Sequence, residues 1–179
     1  IGKFNPGVKD RSSLAIVNWA FRVVLFLAGT KVTFIGLENV PTDTPVLYVG
    51  NHRSFFDVVI TYTKVARVTG YIAKKEIEKV PLLRNWMRNL HCLFLDRKDI
   101  KAGLKTILEA IELMKCGISI CIFPEGTRSR MGNQLLPFKG GTFKSAVRAK
   151  CPIVPCALID SYKPFDEKSI APVTVKLIY

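Results

Sequence analysis

The chain has 179 residues, of which 49% are hydrophobic and 23% are charged, a composition typical of a folded globular protein rather than a disordered one. This length allows one domain with a substantial core. The unusual feature is the charge: 27 basic and 14 acidic residues give +13, which implies an anionic partner such as a nucleic acid, a phosphorylated substrate or an acidic membrane surface.

The first predicted element is a strongly apolar helix at residues 12–29, which includes Trp19. Its uninterrupted apolar run is too short for a membrane span, and Arg22 lies inside it. An interfacial helix lying in the plane of a membrane and an amphipathic helix packed on the domain fit the pattern equally well. In the first interpretation, residues 1–30 form an N-terminal membrane-associated segment and residues 31–179 form the main domain.

Strands and helices alternate after residue 30. The predicted strands are apolar or β-branched runs at residues 32–35, 46–49, 70–73, 92–95, 118–123, 153–159 and 173–178. The predicted helices are one beginning at about Ser54 and those at residues 80–90, 99–116 and 142–149. The alternation predicts an α/β fold with a layered, largely parallel sheet flanked by helices.

The cysteines are odd in number and lack Cys-x-x-Cys spacing. They are Cys92, Cys116, Cys121, Cys151 and Cys156. Three lie in apolar, strand-like runs, which favours reduced, buried thiols. No metal is expected, because the chain has only two histidines and neither lies near a second clear ligand. The pattern predicts a reducing, cytosol-facing environment.

A histidine and an acid follow the strand predicted at residues 46–49: His52 precedes Asp57 by five residues. An imidazole beside a carboxylate can handle protons, because the carboxylate fixes the tautomer and the other ring nitrogen takes a proton. Ser54 and Asp57 also match a helix capping box, which would make Asp57 structural and His52 a turn residue. The spacing alone favours this second interpretation. Separately, we interpret Arg53 as a surface base.

A second polar motif, residues 123–129, follows the strand predicted at residues 118–123. Its Gly126 permits close backbone approach, and Arg128 offers a planar fork for phosphate, although Pro and Gly also mark ordinary turns. Ligand sites gather at the carboxyl ends of parallel strands, so the two motifs are expected to form one site.

Basic residues are concentrated between residues 126 and 159, where no acid occurs. We interpret Lys144, Arg148 and Lys150 as a solvated helical face. Arg128 and Lys139 lie in Gly-rich loops, where a ligand role is more plausible.

Together these segments resemble the glycerolipid acyltransferase family, whose best-known members are the lysophosphatidic acid acyltransferases. The resemblance covers residues 32–159 and rests on ordered blocks at residues 52–57, 73–77 with Pro81, 94–97, 123–129 with 137–140, and 154–156. It implies an acyltransferase catalytic domain at residues 31–179. It also implies transfer of a fatty acyl group from a coenzyme A or acyl carrier protein thioester to the 2-hydroxyl of lysophosphatidic acid, giving phosphatidic acid without a cofactor.

The resemblance implies a role for each candidate residue. His52 would be the general base, and Asp57 would orient it. Arg128 would bind the acceptor's phosphate, followed by Lys74 and then by Lys75 and Arg97. Glu125 would fix its loop or contact the glycerol hydroxyl, and Gly126 and Thr127 would supply backbone and hydroxyl contacts.

Alternatives remain open at this point. The acceptor could be another lysophospholipid or glycerol-3-phosphate, or His52 could activate water in a hydrolase. A non-catalytic basic module that binds lipid or nucleic acid is the third possibility. Nucleic acid is not expected as a partner, because the aromatic residues lie mostly in apolar periodic runs and not on an exposed platform. The expected location is the cytoplasmic face of an anionic membrane.

Overall fold

The computed structural model describes residues 5–166 and 172–179. Its helices are α1 (Pro6–Leu27), α2 (Phe56–Tyr62), α3 (Pro81–Asn89), α4 (Ile100–Lys115), α5 (Gly141–Ala149) and α6 (Lys163–Asp166). Its strands are β1 (Thr30–Ile35), β2 (Leu47–Gly50), β3 (Thr69–Lys74), β4 (Leu93–Leu95), β5 (Ser119–Ile122), β6 (Ile153–Ile159) and β7 (Val173–Ile178). Short 3-10 helices lie at Leu37–Asn39 and Lys75–Lys79.

The strands form a 7-stranded sheet in the order β1-β7-β6-β2-β5-β3-β4. Every neighbouring pair in it is parallel except β6 and β7. The predicted α/β fold with a largely parallel sheet is therefore confirmed. In the centre, β2 lies between β5 and β6, so the loops that follow β2 and β5 leave the same edge of the sheet side by side.

Both faces of the sheet centre are covered, which explains why β2 and β5 are buried at every position. Tyr48 and Cys121 face one apolar cluster, which includes side chains of α2. Leu47 and Ile120 face a second cluster built with α4 and α5. The core therefore consists of two layers of side chains, one on each face of the sheet.

Helix α1 begins earlier than the segment predicted from its apolar residues, because Asn5 caps it and Pro6 occupies its first turn. The side chain of Asn5 accepts a hydrogen bond from the backbone N–H of Val8 at 3.2 Å. One side of α1 packs on the domain, where Phe21 meets Tyr62 edge to face. The other side exposes large apolar residues, including Trp19 and Phe26. Within the described ranges, no helix has both the length and the apolar character needed to cross a membrane.

Most predicted element bounds agree with the structure to within two residues. The prediction for α2 placed its start at Ser54, but the helix begins at Phe56. The difference arises because the side chain of Ser54 accepts a hydrogen bond from the backbone N–H of Phe56 at 3.2 Å, which keeps Ser54 in the preceding turn.

Candidate active site

His52, in the loop after β2, is in direct contact with Asp57 in the first turn of α2. His52 Nδ1 lies 2.7 Å from Asp57 Oδ2. That oxygen also accepts backbone N–H bonds from Arg53 at 2.6 Å and Ser54 at 2.8 Å. Because Asp57 Oδ2 already accepts two N–H bonds, we assign it as the acceptor toward His52 as well. Nδ1 of His52 is then the donor in this contact, and Nε2 of His52 keeps its lone pair.

One oxygen of the Asp57 carboxylate contacts both the backbone of the turn and the imidazole. Its bond to the backbone N–H of Ser54 spans the turn before α2, whose N-cap residue is Phe55 and makes no side-chain capping bond. The same oxygen holds the imidazole of His52. Asp57 has no exposed surface, so water does not compete for these bonds.

The ring of His52 is held on a second side by Phe123, the residue that follows β5. The two rings stack with centroids 4.2 Å apart and an interplanar angle of 12°. Within the described parts of the chain, no residue hydrogen-bonds to His52 Nε2, and the His52 side chain keeps 19% exposure. The arrangement presents one basic nitrogen in a fixed direction.

The two motifs predicted to share a site are hydrogen-bonded to each other. The backbone N–H of His52 donates to Glu125 Oε1 at 2.6 Å, and the backbone N–H of Ser129 donates to the carbonyl of His52 at 2.8 Å. Glu125 Oε2 accepts from the backbone N–H of Leu136 at 2.8 Å. The buried Glu125 carboxylate therefore joins the His52 loop, its own loop and residues 134–139.

The structure contradicts the interpretation of Arg53 as a surface base. The residue is buried, donates from its guanidinium to the backbone carbonyl of Ser129, and lies over the ring of Tyr162 at 4.6 Å. Both partners are distant in the sequence, so no local pattern indicates them.

The side chain of Asn51 is also held by a distant segment. It accepts a hydrogen bond from the backbone N–H of Leu158 at 2.7 Å and donates one to the backbone carbonyl of the same residue at 2.9 Å.

The candidate phosphate-binding cations have different environments. Arg128 is exposed, as is Thr127, and Arg128 forms no ion pair within residues 5–166 and 172–179. Lys74 pairs with Glu76 at 3.0 Å, and Lys75 pairs with Asp96 at 3.2 Å. Both pairs are exposed and therefore weak.

Arg97 is exposed and lines a groove beside α4. Gly126 has a left-handed φ of 70°, which favours glycine. The side chain of Lys139 crosses over it, because a Cβ at Gly126 would lie 2.9 Å from Lys139 Nζ.

The thiols and phenols under the site are uncharged at neutral pH. Burial raises the pKa of Cys121 well above its usual value and raises that of Cys156 to about 12. Burial also raises the pKa of Tyr71 well above its usual value. Tyr71 shares a hydrogen bond of 2.7 Å with Thr61. These groups form part of the core, and none of them is an activated nucleophile.

The fold and site define an α/β protein with a His–Asp pair at the carboxyl edge of a parallel sheet. A model of the Acyltransferase family matches residues 31–159, and the chain belongs to this family. The assignment agrees with the resemblance seen in the sequence.

Several relatives are similar to most of the chain. A probable 1-acyl-sn-glycerol-3-phosphate acyltransferase of Mycoplasma pneumoniae is 32% identical over 148 residues, which are 80% of this chain and 55% of that protein. The 1-acyl-sn-glycerol-3-phosphate acyltransferase of Borreliella burgdorferi is 31% identical over 84% of this chain and 60% of its own length. A chloroplastic protein of the same name from Brassica napus is 37% identical over 74% of this chain and 38% of its own length.

The fold is also that of a solved structure, the 1-acyl-sn-glycerophosphate (LPA) acyltransferase PlsC from Thermotoga maritima. The TM-score is 0.80 at 29% identity, over 92% of this chain and 66% of that one. The chain thus spans between 38% and 60% of the length of the three curated relatives described.

Proposed function

We propose that this chain catalyses transfer of a fatty acyl group from a thioester to the 2-hydroxyl of lysophosphatidic acid, which gives phosphatidic acid. The observation that carries the proposal is the 2.7 Å contact of His52 Nδ1 with Asp57, which leaves Nε2 available as a base. The names of the relatives support the acceptor, since all three curated relatives act on 1-acyl-sn-glycerol-3-phosphate by name.

The proposed reaction begins when Nε2 of His52 takes the proton of the acceptor hydroxyl. The hydroxyl oxygen then attacks the thioester carbon, and the carbonyl oxygen gains the negative charge. When the tetrahedral intermediate collapses, the carbon–sulfur bond breaks and the imidazolium returns its proton to the leaving sulfur. Asp57 stabilises the imidazolium, as an acid does in a serine hydrolase. A general base of this kind contributes about 10²–10⁴-fold to the rate.

No covalent acyl-enzyme is needed, because the acceptor hydroxyl stands where the serine of a hydrolase would be. The environment of the thiols supports direct transfer. Cys121 and Cys156 are buried, and burial keeps them protonated by raising their pKa.

We assign the acceptor's phosphate first to Arg128, because Arg128 is exposed and lies close to the His52 loop. The next residue, Ser129, donates a backbone hydrogen bond to the carbonyl of His52. Lys74 is a second contact, which must first leave Glu76. Lys75 faces the same competition from Asp96. We assign Glu125 to fixing the loop and not to the glycerol hydroxyl, because both of its oxygens already accept backbone N–H bonds.

We also propose that residues 1–30 attach the catalytic domain, residues 31–179, to the cytoplasmic face of an anionic membrane. The support is the outward side of α1, where Trp19 is 67% exposed and Phe26 is 82% exposed. Arg22 lies on the exposed part of the same helix and is suited to anionic headgroups. Flotation with vesicles of phosphatidylcholine and phosphatidic acid tests this. Trp19→Ser with Phe26→Ser should reduce flotation, and unchanged flotation would contradict the attachment.

The activity is tested with radiolabelled acyl-coenzyme A and acyl carrier protein thioesters, each offered to lysophosphatidic acid and glycerol-3-phosphate. We expect labelled phosphatidic acid only with lysophosphatidic acid, and we expect none from a folded His52→Ala variant. Release of free fatty acid at the same rate without any acceptor would favour a hydrolase instead. Near-normal transfer by folded His52→Ala would rule out the proposed base.

A further inference from the structure

A groove of about 350 Å³ lies between α4 and α5, over the ends of β3, β4 and β5. Apolar side chains from the sheet and from one face of α4 line it: Ile72, Leu95, Leu104, Ile107, Ile111 and Ile122. Such a volume and lining are typical of a small-molecule site. The groove is on the sheet face that α4 and α5 cover, opposite to the face that packs on α2.

The groove reaches the catalytic loop. Phe123, Pro124 and Gly126 line one part of it, and Phe123 stacks on His52 with ring centroids 4.2 Å apart. A ligand in the groove therefore has one end beside the residues that hold the imidazole. The groove and the base are therefore neighbours through the segment at residues 123–126.

The charged lining of the groove is basic. Arg97, Lys139, Lys144 and Arg148 line it, and no acidic residue does. In the part of the chain that the structure describes, none of the four cations forms an ion pair. Lys144 and Arg148 are four residues apart on α5 and therefore share one face, which turns toward the groove. Both residues are exposed, as the sequence predicted for a solvated face, and they also line the groove.

Lys139 is held at the junction of groove and catalytic loop. Its backbone N–H donates to the carbonyl of Pro124 at 2.9 Å. Its side chain passes directly over Gly126. The ammonium group therefore lies beside Gly126, between the apolar groove and the loop that binds His52.

We propose that this groove binds the acyl donor, with the phosphate of its phosphopantetheine arm on Lys139, Lys144, Arg148 and Arg97. An apolar groove with unpaired cations suits an amphiphile that carries several negative charges. The acceptor's phosphate is already assigned to Arg128, so the groove and its cations are available to the donor. Coenzyme A and an acyl carrier protein both present this arm, so the chemistry is common to both donors. The inference rests on the proposed function, because it names the donor of that reaction.

Direct binding separates this inference from the activity. Isothermal titration calorimetry on the whole chain measures the binding of four ligands: coenzyme A, dephospho-coenzyme A, pantetheine and a phosphopantetheinylated carrier protein. Binding of coenzyme A or of the carrier, with none of phosphate-free pantetheine, supports the site and identifies the source of the phosphate. Equal affinity for pantetheine and the phosphorylated ligands would overturn the phosphate contacts.

The double variant Lys144→Glu with Arg148→Glu tests the two cations that α5 contributes to the groove. Both side chains are exposed, so reversing their charge should not disturb folding. We expect the affinity for the phosphorylated donor to fall by about tenfold or more, with KM for the donor rising and KM for lysophosphatidic acid unchanged. The matched control is Lys101→Glu with Lys105→Glu, an exposed pair on α4 that does not line the groove. It should change donor affinity by less than about twofold.

Two further outcomes are distinguishable. If the α5 variant raised only the KM for lysophosphatidic acid, the groove would be an acceptor site and the inference would be overturned while the activity stood. If coenzyme A bound to the wild-type chain and not to the α5 variant, the donor site would be supported. This result would hold even if the wild-type chain failed to acylate lysophosphatidic acid and the proposed function were contradicted.

Discussion

Glu125 and His52 are joined by a hydrogen bond of 2.6 Å from the backbone N–H of His52 to Glu125 Oε1. The carboxylate accepts a second backbone bond from Leu136 with its other oxygen. Glu125 is 5% exposed, so neither N–H group has water as a substitute partner. Glu125, from the motif at residues 123–129, therefore holds the backbone of His52, while Asp57 holds the imidazole ring of His52.

We predict that Glu125→Gln lowers both stability and kcat. A glutamine has one acceptor oxygen, so its NH₂ group must face one of the two buried N–H donors, which should cost about 1–3 kcal/mol of unfolding free energy. Urea denaturation measures the stability, and labelled acyl transfer measures kcat. Glu109→Gln, an exposed change on α4, should leave both unchanged. Wild-type stability and kcat in Glu125→Gln would contradict this role.

We predict that Asp57→Asn keeps the fold and loses most of the activity. An asparagine oxygen can still accept the N–H bonds that Asp57 Oδ2 receives from Arg53 and Ser54. It lacks the charge that stabilises an imidazolium, so kcat should fall by about 10²–10⁴-fold. Circular dichroism checks the fold, and transfer to lysophosphatidic acid gives kcat. A folded Asp57→Asn variant within a few-fold of wild-type kcat would show that Asp57 only stabilises the turn before α2.

Much of this site was predictable because its main features are local. The motif at residues 52–57 and the motif at residues 123–129 each follow a short apolar run, and parallel strands bring such positions to one edge. The buried position of Arg53 was not predictable, since its partners Ser129 and Tyr162 belong to other segments. Nor does helical spacing reveal which face of α5 turns toward a groove, because that depends on the position of α4.

We predict that Arg128→Ala raises the KM for lysophosphatidic acid and leaves the KM for the donor unchanged. Loss of a charge-assisted bond to phosphate should cost about 1.5–3 kcal/mol, or roughly 10- to 150-fold in KM where KM reports binding. Lys31→Ala is the matched control, because Lys31 is an exposed cation on β1 at the far edge of the sheet. An unchanged KM for lysophosphatidic acid in Arg128→Ala would remove Arg128 from the phosphate site.

We predict that the folded protein reacts with a thiol reagent mainly at Cys116, which is exposed. Burial raises the pKa of Cys92, Cys121 and Cys156, so at pH 8 these thiols lack both the thiolate form and access to the reagent. Timed alkylation with iodoacetamide followed by peptide mass spectrometry measures each site. Cys116→Ser should remove the fast phase, and urea should expose the buried sites. Fast labelling of Cys121 in the folded chain would contradict the described core.

We predict that Gly70→Ala destabilises the fold by about 1–3 kcal/mol or more. A Cβ at Gly70 would overlap the backbone carbonyl oxygen of His91. That carbonyl cannot move away easily, because His91 has a left-handed φ of 57° and its ring contacts Asp10 of α1 at 2.8 Å. Gly140→Ala is the matched control, since φ there is −58° and nothing lies within 4 Å of its Cβ position. It should be neutral or stabilise by about 0.4–1 kcal/mol. Equal unfolding free energies for the two variants in urea would show that β3 and the His91 turn are not packed as described.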